Sequence, residues 1–347
     1  MITTNLTETK LNFEIGAKIG NGGEGEVYHA FDPQLNANIA VKKVPIANFT
    51  HQDLYFEESR KLYLTNHHNI VKVIYACKDD DFIYLSMPFY KNGSLKGLID
   101  NRFLSSREIV RYSLQFLSGL NNIHSKGLIH FDIKPENILI NNSNQALISD
   151  FGLAEYTGHY GFASNSGTTQ VLAPPEYFDQ PVHNHKFDIY QAGLTMYRIC
   201  NGESVFLSQL DGAFVSRGIR NDGNFIQKLQ AGNFPNRQFF LPHIPRQLRK
   251  IISTALKPNP DERYSSVIEI LNDLSKINAA NDWTYSTDNL GNETWVKHNY
   301  IVTCLTTNNT FTISALKNSR QNRNFCKVVQ NEVEKNTLLY DCLNTDW

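Results

Sequence analysis

The period of the hydrophobic pattern changes near residue 90, and that change limits the chain to folds with two unlike halves. Phe13 to Ile19, Val27 to Ala30, Ala37 to Val44, Ile70 to Tyr75 and Phe82 to Met87 are short strand-like runs. Alternation of apolar and polar residues puts every second side chain on one face of a sheet. Only Leu54 to Asn66 interrupts them, with the spacing of an amphipathic helix. After Asn92-Gly93 the apolar residues recur at helical spacing over Leu95 to Ile99, Ser106 to Ser125, Phe187 to Cys200, Leu248 to Leu256 and Ser265 to Ile277. The pattern predicts an α+β chain, β-rich first and mainly helical afterwards.

Beyond Ile277 the pattern turns again. Tyr300 to Thr306 and Thr310 to Ser314 alternate about Asn308-Asn309, a pair that tolerates positive φ and suits a tight hairpin. Phe325 to Val329 and Thr337 to Leu343 are expected to add two strands. All three tryptophans, Trp283, Trp295 and Trp347, fall in this tail, where they are expected to form the core of a small β module.

Charge and cysteine usage exclude several classes of function. Lys plus Arg number 33 against 34 Asp plus Glu, so no global field draws the chain to nucleic acid or an acidic membrane. Any polyanion must be held locally. The five cysteines are scattered and form no C-x-x-C pair, which argues against a disulfide framework or a zinc knuckle. Met1 to Lys10 is polar, and no run approaches the ~20 apolar residues of a membrane span. A reducing, cytoplasmic setting and no membrane partner are the expectation.

Four motifs then follow in order. Gly20-Asn21-Gly22-Gly23-Glu24-Gly25-Glu26-Val27 fits G-x-G-x-x-G-x-V, where missing side chains let backbone N–H groups close over phosphate oxygens. Strand-like residues follow it, so a hairpin lid is expected rather than the helix of a dinucleotide fold. Ile39-Ala40-Val41-Lys42 sets a lysine on the next strand, and Glu58 opens the helical segment, with Glu57 on a face about 100° away. His130-Phe131-Asp132-Ile133-Lys134-Pro135-Glu136-Asn137 precedes Asp150-Phe151-Gly152. Carboxylates and an amide suit a hard divalent cation and a hydroxyl proton, and a lysine suits a transferring phosphoryl group.

This ordered set resembles the eukaryotic-type serine/threonine protein kinase family, over roughly Phe13 to Ile277. The resemblance implies a bilobal fold over 13–277, with an N-lobe at 13–87, a hinge at 88–92 and a C-lobe at 93–277. Residues 1–12 would precede it, and a β-rich extension would occupy 278–347. It implies that Lys42 contacts the ATP phosphates and pairs with Glu58, that Asp132 takes the substrate hydroxyl proton, and that Lys134 steadies the phosphoryl group. Asn137 and Asp150 would hold Mg²⁺, or Mn²⁺ in its place. The ATP pocket would comprise Ile19, Gly20, Gly22, Gly25, Val27, Ala40, Lys42, Met87, Pro88, Tyr90 and Leu139, with Pro88 offering its carbonyl and Tyr90 its N–H. Leu62, His130 and Phe151 match a hydrophobic spine. Pro174-Pro175-Glu176, Asp188 and Arg263 match C-lobe anchors, Arg263 as partner of Glu176.

Lys134 points to serine or threonine in protein substrates. Phe131 stands where the family commonly has the arginine that gathers a phosphorylated loop, the non-RD pattern. Activity is therefore expected not to depend strictly on activation-segment phosphorylation. Thr157, Ser164, Ser166, Thr168 and Thr169 are candidate autophosphorylation sites. The run Gly167 to Ala173 before Pro174 is one residue longer than the commonest spacing, which leaves open whether Thr168 or Thr169 meets Asp132 and Lys134. In the tail, Lys317, Arg320, Arg323 and Lys327 read as a solvated basic loop, and without interleaved aromatics they do not suggest nucleic acid. The competing function is a pseudokinase scaffold that binds a partner through the extension, by a regulatory or intramolecular contact.

Overall fold

The structure is a computed structural model and describes residues 10–21, 25–165, 167–214, 223–277, 282–308 and 310–345. Its first lobe is one antiparallel sheet in the order β1-β2-β3-β5-β4. The strands are β1 (Glu14–Asn21), β2 (Glu26–Asp32), β3 (Ala37–Pro45), β4 (Tyr75–Lys78) and β5 (Phe82–Pro88), with α1 (Glu57–Leu64) inserted after β3.

The expected strand over Ile70 to Tyr75 begins only at Tyr75. The reason is where its backbone bonds go. Val71 N–H donates to the Ile148 carbonyl at 2.9 Å, and Ile148 N–H donates to Asn69 at 2.9 Å. The beginning of this stretch is latched to the second lobe, and the chain reaches its own sheet only at Ile74, whose N–H donates to the Ser86 carbonyl at 2.8 Å.

The second lobe is built from α2 (Leu95–Asn101) and α3 (Ser106–Ser125), the short strands β6 (Leu128–Ile129), β7 (Ile138–Ile140), β8 (Ala146–Ile148) and β9 (Glu155–Tyr156), and the helices α4 (Lys186–Asn201), α5 (Glu203–Ala213), α6 (Gly223–Gln230), α7 (Arg246–Ala255) and α8 (Val267–Ser275). Ser105 and Glu108 form a reciprocal capping box that starts α3 where the apolar periodicity does. α4 is buried on nearly every side. Gly193 lets α7 approach, since a Cβ there would lie 2.8 Å from that of Ala255. The helices α5 and α6 carry no expectation from the pattern.

The tail holds β10 (Thr284–Thr287), β11 (Glu293–Lys297), β12 (Tyr300–Thr307), β13 (Thr310–Lys317), β14 (Arg320–Gln321) and β15 (Lys327–Val329), in one antiparallel sheet. Thr337 to Leu343, expected as a strand, lies in a helix, α9 (Glu332–Asn344). Asn331 caps it by accepting from Glu334 N–H at 2.8 Å, and Leu339, Cys342 and Leu343 recur at helical rather than strand spacing. Trp283 and Trp295 are buried, and the Trp283 Nε1–H donates to the Leu343 carbonyl at 2.8 Å. Trp347 lies outside the described residues.

This module shares the core of the helical lobe. Tyr285 packs on Phe103 at 4.6 Å and stacks on His243 at 5.4 Å, and Trp295 Nε1–H donates to His243 Nδ1 at 3.3 Å. The Arg246 and Arg249 guanidinium groups sit 4.7 and 4.9 Å from the Tyr340 ring centre. Among the described residues no helix is long and apolar enough to cross a membrane.

Candidate active site

Strand register places the first group of side chains. Val27, Lys42 and Leu85 are paired across β2, β3 and β5, and His29, Ala40 and Met87 form the next row on the same face. Ile19 and Gly20 sit on β1, with Gly20 opposite Val27. Gly25 lies against β3, where a Cβ would collide with the Lys43 carbonyl. Gly22 lies outside the described residues. Met87 and Pro88 end β5, the Tyr90 carbonyl accepts from Gly93 N–H at 3.1 Å, and Leu139 lies on β7 of the other lobe.

Lys42 Nζ donates to both oxygens of Glu58 at 2.9 Å and to Asp150 Oδ1 at 2.8 Å. Glu57 turns to Lys61 at 2.7 Å, so the helix separates the two neighbouring glutamates as its geometry requires. Burial pushes the Lys42 ammonium toward neutrality, but the two carboxylates outweigh it and hold the proton more firmly than usual. Burial likewise raises the Asp150 carboxyl, and Lys42 reverses this to a net lowering. Lys42 and Asp150, from two lobes, are thus each held in the ionised state, and Glu58 bonds the same ammonium.

Two residues at the site adopt left-handed backbone angles, Phe131 at φ 64° and Asp150 at φ 61°. Such angles cost about 1–3 kcal/mol at a residue with a side chain and persist only where neighbours enforce them. Asp188 supplies the enforcement at Phe131: its carboxylate accepts from the N–H groups of His130 and Phe131, each at 2.8 Å, and from His124 Nε2 at 2.8 Å. Burial raises the Asp188 carboxyl, yet His124 and His130 bring it below the usual carboxylate range.

α4 carries more of this support. Gln191 accepts from Ile133 N–H at 3.0 Å and donates to the Phe131 carbonyl at 3.1 Å. Thr195 donates to the Ile133 carbonyl at 3.2 Å, and Arg198 donates to Glu136 at 2.6 and 3.1 Å. Of these, Asp188 is named by the resemblance, while Gln191, Thr195 and Arg198 carry no expectation from the sequence although the signal is present: the four are polar at i, i+3, i+7 and i+10 on a largely apolar helix.

The catalytic-loop candidates converge. Asp132 Oδ2 accepts from Lys134 Nζ at 2.8 Å and from Asn137 Nδ2 at 2.7 Å. Its Oδ1 is buried and has no hydrogen-bond partner among the described residues. With its amide donating to Asp132, Asn137 keeps its carbonyl oxygen for a cation. Asn137 Oδ1 and the Asp150 carboxylate are hard oxygen donors of the kind a divalent cation takes. Among the described residues no cluster of three or more His, Cys, Asp or Glu side chains could hold a metal by itself.

Leu62, His130 and Phe151 are all buried, with the His130 and Phe151 rings 5.0 Å apart. Arg263 makes two bonds to Glu176, at 2.7 and 2.6 Å. Thr168 is buried and donates to the Phe131 carbonyl at 3.0 Å, not to Asp132 or Lys134. Thr157 is half-buried on the Gly127 carbonyl, Ser164 and Thr169 are exposed, and Ser166 lies outside the described residues.

Comparison with known proteins gives a consistent result. The sequence profile of the protein kinase domain matches residues 13–274. A probable serine/threonine-protein kinase of Clostridium acetobutylicum is 28% identical over 280 residues, covering 78% of this chain and 41% of the relative. A probable serine/threonine-protein kinase of Streptomyces coelicolor is 27% identical, covering 76% and 39%, and the serine/threonine-protein kinase PknL of Mycobacterium bovis is 28% identical, covering 76% and 65%. The chain therefore spans about two fifths of the length of the first two relatives.

Proposed function

The chain belongs to the protein kinase domain family, and on that premise we propose that it transfers the γ-phosphoryl group of ATP to serine or threonine hydroxyls of proteins, its own included. The observation that carries this reading is the divided carboxylate of Asp132, with one oxygen held by Lys134 and Asn137 and the other buried without a partner. A buried acceptor left free costs about 1–3 kcal/mol, which a substrate hydroxyl would recover by donating to it. Asp132 then orients the nucleophile and takes its proton as the new P–O bond forms, while the bond to the ADP leaving oxygen breaks. Lys134, already on the same carboxylate, neutralises charge on the transferring group.

Lys42 fits the α- and β-phosphates, because Glu58 and Asp150 hold its ammonium in place and charged. Asn137 and Asp150 would hold Mg²⁺ or Mn²⁺. When bound, that cation would supply positive charge to offset that of the phosphates. Most of the catalysis assigned to these residues is positioning and fixed charge.

The test is Asp132→Asn in a radiolabelled ATP transfer assay. Transfer should fall by about 10²–10⁴ with nucleotide affinity nearly unchanged. Wild-type rates in the variant would overturn the assignment. A wild-type chain that binds ATP and transfers nothing would leave the scaffold reading, with the tail module as the contact surface.

A further inference from the structure

Lys61 is a lysine on α1 with almost none of its surface exposed, and it serves neither Lys42 nor the catalytic loop. Its ammonium donates to the Ala154 carbonyl and pairs with Glu57 at 2.7 Å and Glu155 at 3.7 Å. Ala154 and Glu155 lie four and five residues after Asp150, at the start of the activation segment, where β9 pairs with β6. Lys61 therefore ties the helix that carries Glu58 to the segment that carries Asp150.

Lys61 adds a second tie to α1 beside the Lys42–Glu58 pair and the buried Leu62. The helix is eight residues long and has no side-chain cap at its N-terminus. Helices this short are marginal without tertiary packing. A cavity of about 430 Å³ beside the beginning of α1, lined by Leu54, Phe56, Ala76, Ile83, Leu85 and Phe151 among others, removes part of that packing. Burying an ammonium costs several kcal/mol unless charges and acceptors compensate it, so the position of α1 that satisfies Lys61 is strongly preferred over positions that do not.

We propose that Lys61 is a positioning residue for phosphoryl transfer: it fastens α1 to the activation segment and so holds Glu58 and Asp150 together on Lys42. The tie uses carboxylates and a carbonyl already in the chain, with no phosphate. The proposal rests on the kinase reading above, and its test separates the two.

Lys61→Met keeps most of the unbranched side chain and removes its charge and donors; Glu57→Gln/Lys61→Met also removes the carboxylate that the single variant would strand. Transfer rates at saturating ATP, the KM for ATP, thermal midpoints, and the rate of limited proteolysis between residues 150 and 175 are measured for both, for Lys61→Arg and for wild type. Both methionine variants should lose about tenfold or more in kcat. Their KM for ATP should stay within about threefold and their midpoints near that of wild type, and their segment should be cleaved several-fold faster. Lys61→Arg should regain part of the rate. Unchanged kcat, or a loss matched by equal losses in melting temperature and nucleotide binding, would overturn the proposal. If wild type itself transfers nothing, the kinase reading fails, and equal cleavage of wild type and both methionine variants would overturn the Lys61 tie independently.

Discussion

At Phe131 the residue just before Asp132 is apolar and fully buried. Its ring packs 4.9 Å from Phe187 and 6.2 Å from His183, in a cluster with Ala163, Ala173, Leu153 and Tyr177. Ala163, Ala173 and Leu153 come from the activation segment, so burial of apolar surface holds that segment on the catalytic loop. A phosphate there would meet a hydrophobic wall where a guanidinium would otherwise stand. Protein treated with a phosphatase is accordingly expected to keep most of its turnover; a loss of more than about tenfold in the same transfer assay would contradict this. Residue type and spacing single out Lys42, Asp132, Asn137 and Asp150, and the structure brings Lys42 onto Asp150 and Asn137 onto Asp132; the jobs given to them are the proposal above. Lys61 was not legible in the sequence, because a lysine among charged neighbours on a short helix reads as solvent-facing until its Ala154 and Glu155 partners are seen.

Elements were legible according to how far their own period decides their state. α3 runs over the residues its pattern predicts, since capping box and amphipathic stripe agree. The residues of α9 have weak periodicity, and what selects helix is the Asn331 cap together with burial of Leu339, Cys342 and Leu343. Asn331→Ala should therefore destabilise α9 by about 1 kcal/mol. Amide exchange over residues 334–343 should speed up by a factor of about five, while exchange in β12 stays unchanged. The segment from Ile70 to Tyr75 shows the opposite failure: its composition suits a strand, but the hydrogen-bond partner of Val71 is Ile148 of the other lobe, a fact that no local pattern contains.

For the molecule as a whole, three buried histidines set the response to acid. Burial pushes His130 and His183 below the ordinary imidazole value, and it pushes His243, between lobe and tail module, down to about 3. The neutral form is thus the folded form. As pH falls below about 6.5 the unfolded chain takes up protons that the folded chain refuses, so stability is full above that value and is lost as pH drops toward each folded pKa. Each histidine contributes at most about 1.4 kcal/mol per pH unit in its window. The urea midpoint should fall steadily from pH 7 to pH 5, and His243→Phe should flatten that slope; a midpoint independent of pH over this range would contradict the reading.

The latch between Val71, Asn69 and Ile148 also bears on motion. The two lobes are covalently continuous at residues 88–92, and this pair of backbone bonds joins them at a separate place. A body attached at two separated points can turn about the line through them and is resisted in other directions. Of the ways the cleft could open, a swing about that line keeps both joins and has side-chain ties such as Lys42–Asp150 and Lys61–Ala154 to break, with Lys42 on one leaf and Asp132 on the other.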